Sequence, residues 1–265
     1  MSRQRSCLAD RSVGTSGTRP DGLFVQLNLP VPASALAIAA HPDDVEFGAG
    51  ATLAKWAAGG CVVSHLVCTD GSKGSWDPTE DVDELVATRQ VEQRAAAAAL
   101  GATGECVFLG EVDGELVAGL DERERVAREI RRLRPEVLLA HDPWKRWRLH
   151  PDHRAAGFLA LDALVAARDP HFYPDQGLAP HRPSCLLLWE ADEVDHVEDV
   201  TGFADRKVAA LLEHRSQFRS THDIDDPDDV AQVERFTRRV EDRLAEVGRS
   251  AGVASGEGFK LIDRL

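Results

Sequence analysis

Short apolar runs separated by longer stretches of helix-forming composition recur along this chain, and that alternation restricts the fold more than any other feature. The runs are ALAIAA (35–40), CVVSHLVC (61–68), ECVFL (105–109), EVLLAH (136–141) and CLLLWE (185–190). Glycine or proline bounds them, and several are apolar at consecutive positions, as strands covered on both faces must be. Between them lie ATLAKWAA, DELVATRQVEQRAAAAAL, DERERVAREIRRL and HRAAGFLALDALVAA, with Gly59-Gly60, Gly101 and Pro135 where helices should stop. Two more helices are expected around FADRKVAALLEHRSQF and DDVAQVERFTRRVEDRLAEV. Strand and helix joined by short connections predict an α/β fold, a mostly parallel sheet with helices on both faces. Residues 1–22, polar and rich in Ser, Gly, Thr and Arg, read as a flexible N-terminal arm. Residues 23–265 read as a single domain, since no repeat or linker divides them.

Charge and composition narrow the partners. Lys and Arg number 31 against 45 Asp and Glu, a formal charge of −14. An overall field of that sign opposes binding to nucleic acid or to an anionic membrane. No run of 18 apolar residues predicts a transmembrane helix, and the basic N-terminus lacks the apolar core of a secretory signal. Cys7, Cys61, Cys68, Cys106 and Cys185 are scattered, with no CxxC pair, and read as reduced structural thiols. A cytoplasmic protein is the expectation.

In open α/β sheets, ligands bind beyond the carboxyl ends of the strands. HPDD (41–44), TDGSKGSW (69–76) and HDPWKRWRLHPDH (141–153) are all expected there. HPDD and HPDH (150–153) are near copies, and in each a proline stiffens the turn after a histidine. His41, Asp44 and His153 would supply two imidazoles and a carboxylate with a place left for water, the donor set of a catalytic zinc site. Asp43 would then accept a proton from that water. His150 would hold the developing oxyanion or protonate the leaving amine, with Asp152 orienting its ring. Two other classes fit parts of the pattern. His41 and Asp43 with a distant histidine resemble the facial triad of a non-haem iron(II) oxygenase, although such triads usually sit on β-barrels and HPDH is then unexplained. A non-catalytic metal-binding module would leave Asp43 and His150 without a task.

The segments AHPDDVEFGAGATLAKWAAGG, TDGSKG, TRQVEQRAAAAALGA, LGEVDGEL, HDP, HPDHRAAG and RKVAALLEHRSQF follow one another in this order. From about residue 35 to 220, with a trace in GEGF at 256–259, the chain resembles the LmbE-like, or PIG-L, family of zinc-dependent de-N-acetylases. The resemblance implies a Rossmann-like (LmbE-like) fold and hydrolysis of an N-acetyl group on a glucosamine-like sugar, or amidase action on a thiol or sugar conjugate. It implies Zn2+, with another divalent metal such as Fe2+ as the alternative, a small-molecule substrate, and assembly as a homo-oligomer. His41, Asp44 and His153 match the family's metal ligands, Asp43 its base, and His150 and Asp152 its assisting pair. Arg89 and Asp113 match sugar-contacting positions. Arg148 stands where some members carry an oxyanion-stabilising tyrosine; its alternatives are selection of an anionic or hydroxyl-rich substrate and a solvated loop.

Other features carry less. The arginines of DERERVAREIRRLR alternate with glutamates and predict a solvated, ion-paired helix face. Trp144 and Trp147 fit either sugar stacking or packing. His65 reads as a core histidine, and His214 is left outside the site.

Overall fold

All five apolar runs form strands in the computed structural model, which describes residues 17–18 and 24–265. The arm expected over 1–22 lies outside the described residues, apart from a two-residue strand β1 (Gly17–Thr18). In chain order follow β2 (Phe24–Leu27), β3 (Ser34–Ala39), α1 (Asp44–Ala58), β4 (Val62–Thr69), α2 (Val82–Leu100), β5 (Cys106–Glu111), α3 (Leu120–Leu133) and β6 (Val137–His141). Then come α4 (Pro151–Arg168), β7 (Cys185–Trp189), β8 (His196–Asp199), α5 (Ala204–Leu211), α6 (Val230–Ala251) and β9 (Gly256–Ile262).

The sheet order is β1-β2-β8-β9-β7-β6-β3-β4-β5. Its core, β5-β4-β3-β6-β7, is wholly parallel. Beyond β7 the sheet is mixed, because β9 runs antiparallel to both β7 and β8 while β2 pairs parallel with β8. From β3 the chain winds outward through β4 to β5, then returns to lay β6 on the other side of β3. That reversal opens a crevice at the carboxyl ends of β3 and β6, the place where open α/β sheets bind ligands.

Strand side chains alternate between faces, and β3 shows what each face meets. Ala35, Ala37 and Ala39 pack with Leu53, Trp56, Ala96 and Leu100 from α1 and α2. Leu36 and Ile38 pack with Val126, Ile130, Leu159 and Ala163 from α3 and α4. Each such fully buried large aliphatic side chain contributes roughly 1.5–3 kcal/mol relative to exposure. Among the described residues no helix is long and apolar enough to cross a membrane.

Two elements differ from expectation. Helix α1 starts at Asp44 rather than at Ala51, directly on the HPDD turn. The glycines of FGAG disguise it, and the helix is broken there, with Ala49 at φ −145° and ψ 15°. Gly48 cannot be larger: a Cβ would lie 2.6 Å from the Trp189 ring. The amides freed by the break are taken by Glu257 of β9, whose carboxylate accepts from Ala51 N (3.1 Å) and Thr52 N (2.7 Å). Lys207 neutralises it at 2.6 Å and also donates to Phe47 O at 2.8 Å. On α3, Arg132 makes the expected helix-face pair with Glu129, while Arg125 and Arg132 also reach Glu111 and Glu105 at the β5 strand, but Arg131 is buried. It donates to the carbonyls of Ala166, Ala167, Asp169 and Phe172 and so fastens the end of α4.

His222 is enclosed by Phe47, Phe218 and Phe236 at ring-centroid distances of 5.7, 5.4 and 4.5 Å. Neither ring nitrogen has a partner among the described residues, and burial pushes the imidazole down to about 3. The unfolded ring takes its proton near pH 6.5, so this stabilising contribution is full above that pH and is lost as pH falls below it. Between pH 7 and pH 5 the loss is about 2 kcal/mol. In His222→Phe, the difference in urea unfolding free energy between those two pH values is expected to shrink by that amount. An unchanged difference would place the acid sensitivity elsewhere.

Candidate active site

Strand β3 ends at Ala39, and the chain turns through His41 and Pro42 into α1. Asp43, at the turn, has φ 96° and ψ −27°, a left-handed conformation uncommon outside glycine. Its surroundings hold it there. Asp43 N donates to Gln93 Oε1 at 2.9 Å, while Arg89 donates to Pro42 O (2.7 Å) and Gly71 O (2.9 Å) and lies 3.4 Å from the Asp43 carboxylate. The loop after β4 closes over Arg89 so tightly that a Cβ on Gly74 would lie 2.3 Å from its guanidinium. Burial pushes the Asp43 carboxyl up to about 6, partly offset by the Arg89 charge.

Asp44 is the hub. Its Oδ2 lies 3.2 Å from His41 Nδ1 and 3.2 Å from His141 Nε2, and its Oδ1 lies 3.3 Å from His153 Nε2. Asp44 thus touches both His41, in the turn after β3, and His153 of α4, through different oxygens, and the His41 and His153 ring centroids lie 5.1 Å apart; the three donor atoms do not all fall within 4.8 Å of one another. Donor atoms of His41, His150 and His153 lie within 4.8 Å of one another, and so do those of Asp44, His141 and His153. Two ligands held at about 2.0–2.2 Å by one tetrahedral ion stand about 3.4 Å apart. The His41–Asp44 and Asp44–His153 spacings each match that value, one through Oδ2 and the other through Oδ1. Burial pushes the His153 imidazole down to about 4, whereas around His41 the burial is outweighed by hydrogen bonds to Asp113, Asp152 and Asp44, which hold that imidazole well above its usual value.

His141, at the end of β6, was not singled out from sequence, although it opens HDP at a strand's carboxyl end. Trp189 Nε1, which can only donate, bonds His141 Nδ1 at 3.0 Å. The Trp189 contact at 3.0 Å and the Asp44 contact at 3.2 Å are shorter than the 3.4 Å approach of the Ala40 amide to Nε2, and together they favour a ring proton on Nε2, facing Asp44, so that His141 orients the carboxylate. A second unread group lies behind Asp43. Gln93 Nε2 donates to Glu46 Oε1 (2.8 Å), and His214 Nε2 lies 3.3 Å from Glu46 Oε2. Gln93 follows Arg89 by four residues, hence on the same face of α2, a spacing that TRQVEQR displays. His65 is a buried core histidine as expected, its Nδ1 3.2 Å from Gln93 Nε2.

His150 caps the start of α4, is exposed, and makes no hydrogen bond among the described residues; its ring lies 4.5 Å from that of His41. Asp152 bonds elsewhere than expected. It lies 3.1 Å from His41 Nε2 and accepts from Gly114 N (2.6 Å) and Leu116 N (3.2 Å), with a donor atom within 4.8 Å of one on His150. Asp113 stands 3.2 Å from His41 Nε2. Arg148 is no solvated loop residue: its side chain is 12% exposed and joins Glu190 and His153 Nδ1. Trp144 packs edge-on against Phe158, and Trp147 is 87% exposed. A cavity of about 860 Å³ is lined by His41, Asp43, Asp44, Asp113, His150 and His153, among others.

Comparison with known proteins is consistent with this arrangement. Residues 36–164 match the family described as GlcNAc-PI de-N-acetylase, PIG-L. The chain is 31% identical over 231 residues to diacetylchitobiose deacetylase of Thermococcus kodakarensis, covering 86% of this chain and 82% of that one. It is 32% identical over 166 residues to 1D-myo-inositol 2-acetamido-2-deoxy-alpha-D-glucopyranoside deacetylase of Streptomyces scabiei, covering 54% of this chain and 51% of that relative, about half its length. Among solved structures it is similar to N,N'-diacetylchitobiose deacetylase from Pyrococcus horikoshii, with a TM-score of 0.78, 30% identity, and coverage of 88% of this chain and 84% of that one.

Proposed function

The chain belongs to the GlcNAc-PI de-N-acetylase (PIG-L) family, and we propose how its residues divide the work of hydrolysing an acetamide on an amino sugar to acetate and free amine. The enzyme is a hydrolase of carbon–nitrogen bonds other than peptide bonds, acting on N-acetylglucosamine-type substrates. The observation that carries the residue assignment is the Asp44 carboxylate set between His41 and His153 at 3.2 and 3.3 Å, with Asp43 in the wall of the same cavity.

His41, Asp44 and His153 would hold a divalent cation, Zn2+ before Fe2+, which when bound polarises the amide carbonyl and acidifies water. Asp43, fixed by Gln93 and Arg89, takes the proton of the attacking water. His150, with both ring nitrogens free to meet substrate, supports the negative charge developing on the carbonyl oxygen and passes a proton to the leaving nitrogen. Asp152 serves as a positioning residue for His41 and for the turn that carries Asp113. Asp113 is set to accept a sugar hydroxyl. Arg89 lines the cavity with its Nη groups committed to Pro42, Gly71 and Asp43, so it acts first by shaping the loops. Ligation through His153 Nε2 leaves the ring proton on Nδ1. Arg148, which can only donate, must then turn from His153 to Glu190 and any anionic group nearby.

Purified protein incubated with N,N'-diacetylchitobiose and N-acetylglucosaminyl-inositol is expected to release amine and acetate in equal amounts. Chelation should abolish release, and added Zn2+ should restore it. Dioxygen consumption without acetate, or no product from any N-acetylated amino sugar, would overturn the reading. Homo-oligomeric assembly, which the family resemblance suggests, is checked on the same sample by light scattering.

A further inference from the structure

The cavity is larger than the chemistry just described requires. At about 860 Å³ it nears the upper end of the roughly 300–1,000 Å³ typical of sites for drug-sized ligands. One half is the cluster around Asp44. The other reaches α6, where Phe236, Val240 and Leu244 recur every four residues as an apolar floor. Arg239 and Arg243, each one position before a floor residue, stand at its rim. Arg239 is engaged: it pairs with Asp223, donates to His222 O and lies over the Phe236 ring. Arg243 has no hydrogen bond or ion pair among the described residues and is exposed. The adjoining groove adds Arg235, Arg238 and Arg249, so five arginines face three carboxylates there. In a chain of net charge −14, this local positive excess runs against the overall field.

We propose that the α6 half of the cavity is a second subsite, which takes the part of the substrate beyond the N-acetylated sugar. That part is an apolar body bearing an anionic group, which pairs with Arg243. The proposal rests on the deacetylase reading for its sugar half and names the class of conjugate the enzyme prefers.

Three probes separate its elements: free N-acetylglucosamine, 4-carbamoylphenyl N-acetyl-β-glucosaminide, and its 4-carboxyphenyl counterpart. The aryl group should lower KM relative to the free sugar. The carboxylate should exceed the carboxamide about two- to fivefold in kcat/KM, the size expected of an ion pair at an exposed arginine. In Arg243→Gln, an exposed change, the carboxylate-to-carboxamide ratio should fall to about one. Arg243→Lys should restore part of it. Calorimetric binding of both aryl glucosides to Asp43→Asn reads the same preference without turnover. If carboxylate binding is favoured but nothing is deacetylated, the subsite stands and the deacetylase reading falls. If all three sugars are turned over alike, or the ratio survives in Arg243→Gln, the subsite as assigned is wrong.

Discussion

Asp43→Asn is expected to lower kcat/KM for N-acetylated amino sugars by about 10²–10⁴-fold, the range contributed by a positioned general base, while the protein keeps its metal. Asparagine is the informative replacement. It tolerates a left-handed backbone about as well as aspartate, so the turn at φ 96° survives, and only the ability to take a proton is lost. Asp43 makes no hydrogen bond to His41, Asp44 or His153, and its side chain faces Arg89 instead. Metal content by plasma mass spectrometry should therefore match the parent. Turnover within threefold of the parent would move the base to another residue. Metal loss would make Asp43 a ligand.

His153→Ala should remove the metal outright, and the contrast with His141→Ala makes the experiment decisive. Both rings reach Asp44, at 3.3 and 3.2 Å, so distance alone does not separate them. Partners do: Trp189 donates to His141 Nδ1 at 3.0 Å, so Nε2 alone is left to meet Asp44 at 3.2 Å and the Ala40 amide at 3.4 Å, and the expected outcome is that its proton serves Asp44 rather than its lone pair an ion. Changing such an orienting partner typically lowers metal affinity 10–100-fold, and loss of a direct ligand should exceed that. Competition with a chelator measures both variants. Should His141→Ala be the one that empties the site, the two histidines have exchanged roles.

How much of this was legible in the chain follows from what each segment must bury. The strands β3 to β7 are apolar runs sandwiched between helices, and that burial writes itself as hydrophobicity. Strands β8 and β9 were not read because HVED and GEGFKLI carry charges, and β2 because its four residues, FVQL, are too few to show a pattern. Those charges are neutralised inside: His196 lies 2.7 Å from Glu198, which also meets Lys55, and Glu257 meets Lys207. Pairing across distant segments leaves no periodic trace. The candidate trio was legible as a sequence near-repeat, although the motifs fold differently: α1 begins at the fourth residue of HPDD and α4 at the second of HPDH. His141 and Gln93 left a local trace, in HDP and in the four-residue spacing of TRQVEQR, but their partners, like those of Glu46, are remote in sequence and give each its role only in the fold. Asp152 illustrates the same limit, for its hydrogen bonds go to His41 and to the Gly114 and Leu116 amides rather than to His150 beside it in the motif.

The carboxylate of Glu257 at the break in α1 has a consequence for how the molecule is made. It meets the amides of Ala51 and Thr52 across 206 and 205 residues of chain, and its strand must insert between β7 and β8 to do so. During synthesis the break in α1 therefore emerges 205–206 residues before the carboxylate that accepts from its two amides. A chain that stops before Gly256 would lack both that acceptor and the strand between β7 and β8, leaving the amides at the break in α1 without this partner.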